Sequence, residues 1–233
     1  MVDIISHAGL SHGPLLDRLD EAEPSHRIVG RNRTKADVLF YDVENRRIAL
    51  KTYAPRGALV CRTLGRWLVA REAAAYRAAG AVDGLPAFLG RPRPWAIATE
   101  WVAAEPIKRR RPEDLDDGVF ERLGAIVAAL HGRGVALADL HHRDVLLAED
   151  GALWVVDLAT AWVLGDRPGP LRRALFERFC ESDLVNLARM RARFTGGDEA
   201  AAVASVSPEA AAWHRRGRRL KTVLDRLRGR RRG

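Results

Sequence analysis

Two short apolar runs, Val145-Leu146-Leu147 and Leu153-Trp154-Val155-Val156, bracket the turn sequence Glu149-Asp150-Gly151. A glycine-bearing turn between apolar runs of this length specifies a β-hairpin. Aspartates stand around it: Asp139 in Leu137-Ala138-Asp139-Leu140, Asp144 directly before the first run, and Asp157 directly after the second. An unpartnered carboxylate is costly to bury at the end of an apolar element, so each calls for a cation or a donor. Divalent magnesium, a hard ion that prefers oxygen ligands, is one such partner.

The rest of the chain reads as strands and one helix, then mostly helices. Residues 1–27 are mixed and expected to be peripheral. Val38-Leu39-Phe40-Tyr41 and Arg47 to Tyr53 flank a polar turn at Asp42-Val43-Glu44-Asn45, which predicts a hairpin. A helix follows from Leu64 to Ala79, closed by Gly80, and then a strand over Trp95 to Thr99. From Pro112 onward, Leu115, Val119, Leu123, Ile126, Val127 and Leu130 recur at helical spacing until Gly132 and Gly134. Beyond the central hairpin the pattern is helical, and Ser207-Pro208-Glu209 predicts the N-cap of a final helix. Trp67, Trp154, Trp162 and Trp213 read as core residues. The division falls near Lys108, giving units 1–107 and 108–233.

Composition narrows the function classes. A chain of 233 residues with 47% hydrophobic content can bury a core without covalent staples. Cys61 and Cys180 show no metal-ligand spacing, and no disulfide framework is expected. The N-terminus does not read as a signal peptide, and no apolar run approaches the roughly 18 residues of a membrane span. A cytoplasmic protein, or one peripheral at the inner membrane, is expected. The net charge of +9 is concentrated at Lys108-Arg109-Arg110-Arg111 and between His214 and Arg232. Such a surface attracts RNA, anionic membrane or phosphorylated substrates, or is simply a solvated helix face.

The aspartate pattern resembles the protein-kinase-like superfamily. Asp139-Leu140, with Asp144 five residues after Asp139, is similar to the catalytic loop of that family, and Asp157-Leu158-Ala159 to its magnesium-binding tripeptide. Ile48-Ala49-Leu50-Lys51 resembles the strand whose lysine grips the nucleotide phosphates. Glu72, in the helix that follows, stands where the lysine's ion-pair partner is expected. Thr99-Glu100-Trp101-Val102 matches the inter-lobe hinge, and Gly30 lies in the stretch matching the phosphate-covering loop. Within the superfamily, Leu64-Gly65-Arg66-Trp67-Leu68 and Gly84-Leu85-Pro86 are most similar to small bacterial lipopolysaccharide core sugar kinases (heptose or Kdo kinases) and to RIO-like kinases.

The resemblance implies an α+β fold of two lobes: a small antiparallel-sheet N-lobe and a reduced helical C-lobe. It implies ATP and Mg2+ as cofactors and a hydroxyl acceptor, on a glycolipid sugar or a protein Ser/Thr. Asp139 would be the catalytic base, and Asp157 and Asp144 the metal ligands. Lys51, Glu72, Gly30, Glu100 and Val102 would serve ATP binding, the last two by backbone contacts to adenine. The sequence departs from the family pattern in four places. Leu137 and Ala138 replace the His and Arg before the catalytic Asp, Asp144 replaces Asn, and Ala159 replaces Gly. The phosphate loop has one glycine instead of several. These departures leave a pseudokinase, or a nucleotide-binding scaffold whose basic C-terminal helix binds RNA or anionic membrane, as the alternative reading.

Overall fold

The computed structural model describes residues 13–31, 35–110 and 115–207. The chain forms two compact units, and each is treated by itself. One contains residues up to 81, Leu85–Ala103 and Asp157–Ala159; the other contains Val82–Gly84, Ala104–Val156 and the chain from Thr160 onward.

The first unit is built on an antiparallel sheet. Helix α1 (Gly13–Asp17) runs into a 3-10 turn and is followed by β1 (His26–Ile28), β2 (Asp37–Val43) and β3 (Arg46–Thr52). Next come α2 (Ala58–Val60), a π-turn over Cys61–Gly65, α3 (Arg66–Ala79), β4 (Phe88–Arg93) and β5 (Ala96–Glu100). The strand order is β1-β2-β3-β5-β4. The β2–β3 turn is tighter than the sequence suggests. Asp42 and Val43 stay in the ladder opposite Arg47 and Arg46, and only Glu44 and Asn45, at φ 50° and 62°, form the turn. Two successive left-handed residues match the right-handed twist of the flanking strands.

Strand alternation then sorts the faces. Ile48 and Leu50 point into an apolar cluster with Tyr41, Val43, Leu89 and Ala98, and this cluster is completed by Leu15, Leu16 and Leu19. The expectation that residues before 28 are peripheral is therefore corrected: α1 and its 3-10 extension cap one face of the sheet. Lys51 lies on the alternate face, which α3 covers. Helical structure begins at Ala58, before the predicted Leu64, because Gly65 lets the chain pass tightly over Tyr53. A Cβ on Gly65 would lie 2.7 Å from Tyr53 Cβ. Trp67 is not a core residue; it is 57% exposed, with the Arg71 guanidinium 5.5 Å over its ring. Strand β4 escaped the sequence pattern because Gly90 and Pro92 interrupt it, and its register shifts at Gly90.

The second unit contains β6 (Glu105–Pro106), a 3-10 turn, α4 (Asp117–Gly132), β7 (Val135–Ala136), β8 (Val145–Leu147) and β9 (Leu153–Val155). It ends with β10 (Trp162–Val163), α5 (Pro170–Thr195) and α6 (Glu199–Val206). Asp116 caps α4, accepting from the Val119 amide at 3.0 Å, so the helix starts later than Pro112, which itself lies outside the described residues. Its buried stripe of Val119, Leu123, Ile126, Val127 and Leu130 follows the predicted helical spacing and Phe120 joins it, whereas Leu115, also buried, precedes the helix; α5 packs against α4. The β8–β9 hairpin forms as expected. It is not the unit's only sheet structure: β6 extends it beside β8, and β7 pairs with β10.

Helix α5 opens on Pro170 and closes on Gly196 at φ 77°. Ser207 ends α6 through its amide to Val203 O. Its hydroxyl donates to the Glu181 carboxylate, and the predicted helix beyond it, with Trp213 and the basic tail, lies outside the described residues. Trp154 and Trp162 are half-buried.

Two glycines with nearly the same backbone angle separate steric from conformational effects. Gly84 has φ +85° and a Cβ there would lie 2.3 Å from Ile126 Cδ1 and 2.9 Å from Leu153 O, whereas Gly151 has φ +83° and open space. Gly84→Ala should lower unfolding stability by about 2–4 kcal/mol and Gly151→Ala by only about 1 kcal/mol, measured by chemical denaturation.

Candidate active site

Lys51 is the meeting point of the first unit. Ile97 and Val38 are its cross-strand neighbours on β5 and β2. Its ammonium lies 2.9 Å from Glu72 Oε2 and 2.7 Å from Asp157 Oδ1. Glu72 is the sole acidic residue of α3 and is 3% exposed, so its carboxylate is confined against the sheet. Burial opposes charge on Lys51, but the two carboxylates outweigh it and hold the ammonium well above its ordinary pKa. Burial lifts the Glu72 carboxyl above its usual range despite Lys51. For Asp157 burial acts upward too, but the Lys51 charge and hydrogen bond and the Ala159 amide keep it below the usual carboxylate value.

Asp157 occupies the left-handed region at φ +65°. Its Oδ1 accepts from the Ala159 amide at 3.2 Å, closing a side-chain turn. Ala159 is not among the described residues with positive φ, so its replacement of glycine imposes no left-handed strain. Asp157 carries that strain instead.

The loop between β1 and β2 is tied at its base. Asp37 is fully buried, and its Oδ1 accepts from the Gly30 amide at 2.9 Å and from Arg56 Nη2. Oδ2 accepts from Arg27, with Nε at 3.2 Å. Arg56 Nε also donates to Lys35 O at 2.7 Å. None of Arg27, Asp37 or Arg56 stood out in the sequence; the only signal was a charged residue opening a strand. Glu100 closes β5, its amide bonded to Ala87 O at 2.8 Å, and the Trp101 amide bonds Arg47 O at 2.9 Å, so the stretch leading to Val102 is pinned to the sheet.

The second unit holds Asp139 and Asp144. Asp139 is exposed and follows Ala138, which is left-handed at φ +66°. The loop before it is anchored by Asp183 of α5, a fully buried carboxylate absent from the sequence reading. Asp183 Oδ2 accepts from the Leu137 amide at 2.7 Å and lies 2.9 Å from His131 Nε2, while the Leu137 carbonyl accepts from Thr160 Oγ1 at 3.2 Å. Buried Leu137 thus stands where the family has a polar side chain, and its backbone takes the anchoring role. Asp144 is half-buried; its amide bonds His141 O at 2.9 Å and its carbonyl accepts from Val156 at 2.8 Å.

His141 and His142 do not point apart as adjacent side chains usually do; their ring centroids lie 3.9 Å apart with the planes tilted by 37°, and His142 meets Phe194 edge-on. Burial, His141 and the charges of Arg193, Arg143 and Lys108 push the His142 pKa down to about 4.

The structure therefore brings Lys51, Glu72 and Asp157 into one ionic cluster, places Gly30 in a clamped loop, and sets Asp139 and Asp144 in an anchored loop of the other unit. No group of three or more His, Cys, Asp or Glu side chains among the described residues forms a ready metal cage. Magnesium is ordinarily held by one or two carboxylates together with substrate phosphates. Asp157 fits that mode: its side chain is 48% exposed, and its bonds to Lys51 and Ala159 engage Oδ1.

The Asp37 cluster should be visible in acid. Burial raises the Asp37 pKa, but the Gly30 amide and the two guanidinium groups more than offset it, leaving the folded value below the ordinary one. Its contribution is complete above the unfolded pKa, about 4, and is lost as pH falls through the lower folded value. Denaturation midpoints measured from pH 7 to pH 2.5 should fall with acid in the wild type. Asp37→Asn should be less stable at pH 7 and show a shallower fall.

No protein-family model matches the chain, and no curated protein matches it. Among solved structures it is similar to the Rio2 kinase from Chaetomium thermophilum, with a TM-score of 0.56 and 16% identity, covering 77% of this chain and 60% of that one. It is also similar to the Rio2 kinase-ADP/Mg2+-phosphoaspartate complex from the same organism, at TM-score 0.55 and 16% identity, covering 83% of this chain and 65% of that one. The chain thus spans less than two thirds of the length of these structures. With its antiparallel sheet and ion-paired lysine in one unit and its helices in the other, this chain has a two-lobed, α+β protein-kinase-like fold.

Proposed function

We propose that the chain is an ATP- and magnesium-dependent phosphotransferase acting on a hydroxyl. The observation that carries this reading is Lys51, held charged between Glu72 at 2.9 Å and Asp157 at 2.7 Å. A buried ammonium between two carboxylates is a poor stabilising device compared with apolar packing, but it is a ready-made polyphosphate receptor. The solved complex of the Rio2 kinase with ADP and Mg2+ supports nucleotide and magnesium as the ligands here.

In this reading Lys51 turns toward the nucleotide phosphates while Glu72 keeps its ammonium in place. Asp139 orients the acceptor hydroxyl and takes its proton as the oxygen bonds to the γ-phosphorus, and the bond from that phosphorus to the ADP oxygen breaks. Asp157, with Asp144 as a further oxygen donor, would hold magnesium, which when bound neutralises phosphate charge. The Glu100 carbonyl and the Val102 amide would meet adenine. The acceptor is a hydroxyl of a glycolipid sugar, by the sequence likeness to lipopolysaccharide core kinases, or of a protein Ser/Thr. ATP chemistry of this kind belongs in the cytoplasm or at the inner face of a membrane.

Labelled ATP incubated with lipid, sugar and protein fractions tests the reading. Asp139→Asn should reduce γ-phosphoryl transfer by roughly 100-fold or more while leaving ATP binding within about twofold. Lys51→Met should weaken both. Transfer that persists in Asp139→Asn would refute the assignment of the base, and ATP binding without transfer to any fraction would establish a pseudokinase.

A further inference from the structure

The buried charge of the first unit does not end at Lys51. Asp37 opens β2 in register with Thr52, one residue from the Val38–Lys51 pair, so its carboxylate sits at the root of the β1–β2 loop beside the lysine strand. One carboxylate ties both stems of that loop: the Gly30 amide binds it directly, and Arg56 links it to the Lys35 carbonyl. Arg27, from β1, closes the cluster on the other oxygen.

The stems are drawn so close that Gly30 admits no side chain. A Cβ there would lie 2.6 Å from the carbonyl oxygens of both Lys35 and Ala36, and 2.7 Å from Arg56 Nη2. The lone glycine of this loop therefore serves close approach of two backbones, a different need from the backbone freedom that several glycines provide.

The cluster also carries a surplus charge. Two guanidinium groups face one carboxylate, and the exposed Lys35 adds a further cation on the clamped stem. A fully buried carboxylate with two arginine partners is expensive to assemble, and apolar residues would close a hairpin at lower cost. What the ionic version adds is a pair of fixed stems carrying positive charge on the strand next to that of Lys51.

We propose that Arg27, Asp37 and Arg56 are positioning residues that fix the two stems of the phosphate-covering loop by an ionic clamp in place of a glycine-rich backbone, with Lys35 on the clamped stem binding the nucleotide polyphosphate. This rests on the nucleotide reading above. A loop ordered in advance loses little freedom on binding, and the gain falls on the phosphates rather than on the nucleoside.

That asymmetry is the test. Affinities of the full chain for ATP and for adenosine are measured by calorimetry on the wild type, Lys35→Ala, Arg56→Gln and Arg56→Lys, with unfolding curves on each. Lys35→Ala and Arg56→Gln should weaken ATP roughly tenfold and leave adenosine within about twofold, because charge-assisted contacts to phosphate are lost. Arg56→Lys, which keeps the charge but not the fork that reaches both Asp37 and Lys35 O, should fall between. Equal losses for ATP and adenosine in folded Arg56→Gln, or an unchanged ATP affinity in Lys35→Ala, would overturn the clamp while leaving the kinase reading intact. A wild type that binds neither compound would overturn the nucleotide reading, and the clamp with it. Lys35 is exposed, so its variant decides the matter even where Arg56→Gln does not fold.

Discussion

A single buried ammonium organises the first unit. Lys51 must find compensation for leaving water, and it finds two carboxylates, one from a helix and one from a tripeptide far along the chain. The strand register fixes where its nitrogen emerges, and the sole acid of α3 fixes where the helix must lie. Asp157–Ala159 join this unit although the hairpin before them belongs to the other. The ionic contact thus ties strand, helix and the Asp157 tripeptide together, and removing Lys51 would leave the buried Glu72 carboxylate without its cation.

The parts legible in the sequence are those with a strong local period. The α4 stripe, the β8–β9 hairpin and the β2–β3 pair follow from residue spacing, because burial of one face dictates it. The lysine, glutamate and aspartate of the site were legible through their spacing as a set, since each residue alone reads as an ordinary surface charge. What stayed hidden was tertiary. Leu15, Leu16 and Leu19 occupy too short a segment to show a period, yet they cap the sheet. Asp183 lies in a charged helix whose pattern gives it no distinction, and only the fold delivers it to the Leu137 amide. Trp67 shows the opposite error, a large aromatic ring left at the surface under a guanidinium.

The departures from the kinase pattern acquire physical content once the backbone is known. Leu137 and Ala138 remove two polar side chains ahead of Asp139, but the loop is held from below by the Leu137 amide on Asp183 and by Thr160 on the Leu137 carbonyl. Main-chain groups donate and accept whatever side chain they carry, so the anchor tolerates the substitution. Ala159 in place of glycine is accommodated because the left-handed residue is Asp157.

Backbone strain in the chain falls in two kinds of place. Among the described residues, the left-handed non-glycine positions are Glu44 and Asn45 in a hairpin turn, and Ala138 and Asp157. The first two satisfy a turn that demands them. The other two satisfy no such turn, and each costs about 1 kcal/mol or more relative to relaxed backbone. One immediately precedes the residue matched to the catalytic base; the other is the residue matched to the metal ligand. Asp157 is held by its own bond to Lys51, and the backbone beside Ala138 by the Leu137 amide on Asp183. Each strained position thus lies beside or at a carboxylate matched to the kinase pattern, where an ionic or hydrogen-bonded contact fixes the adjoining backbone.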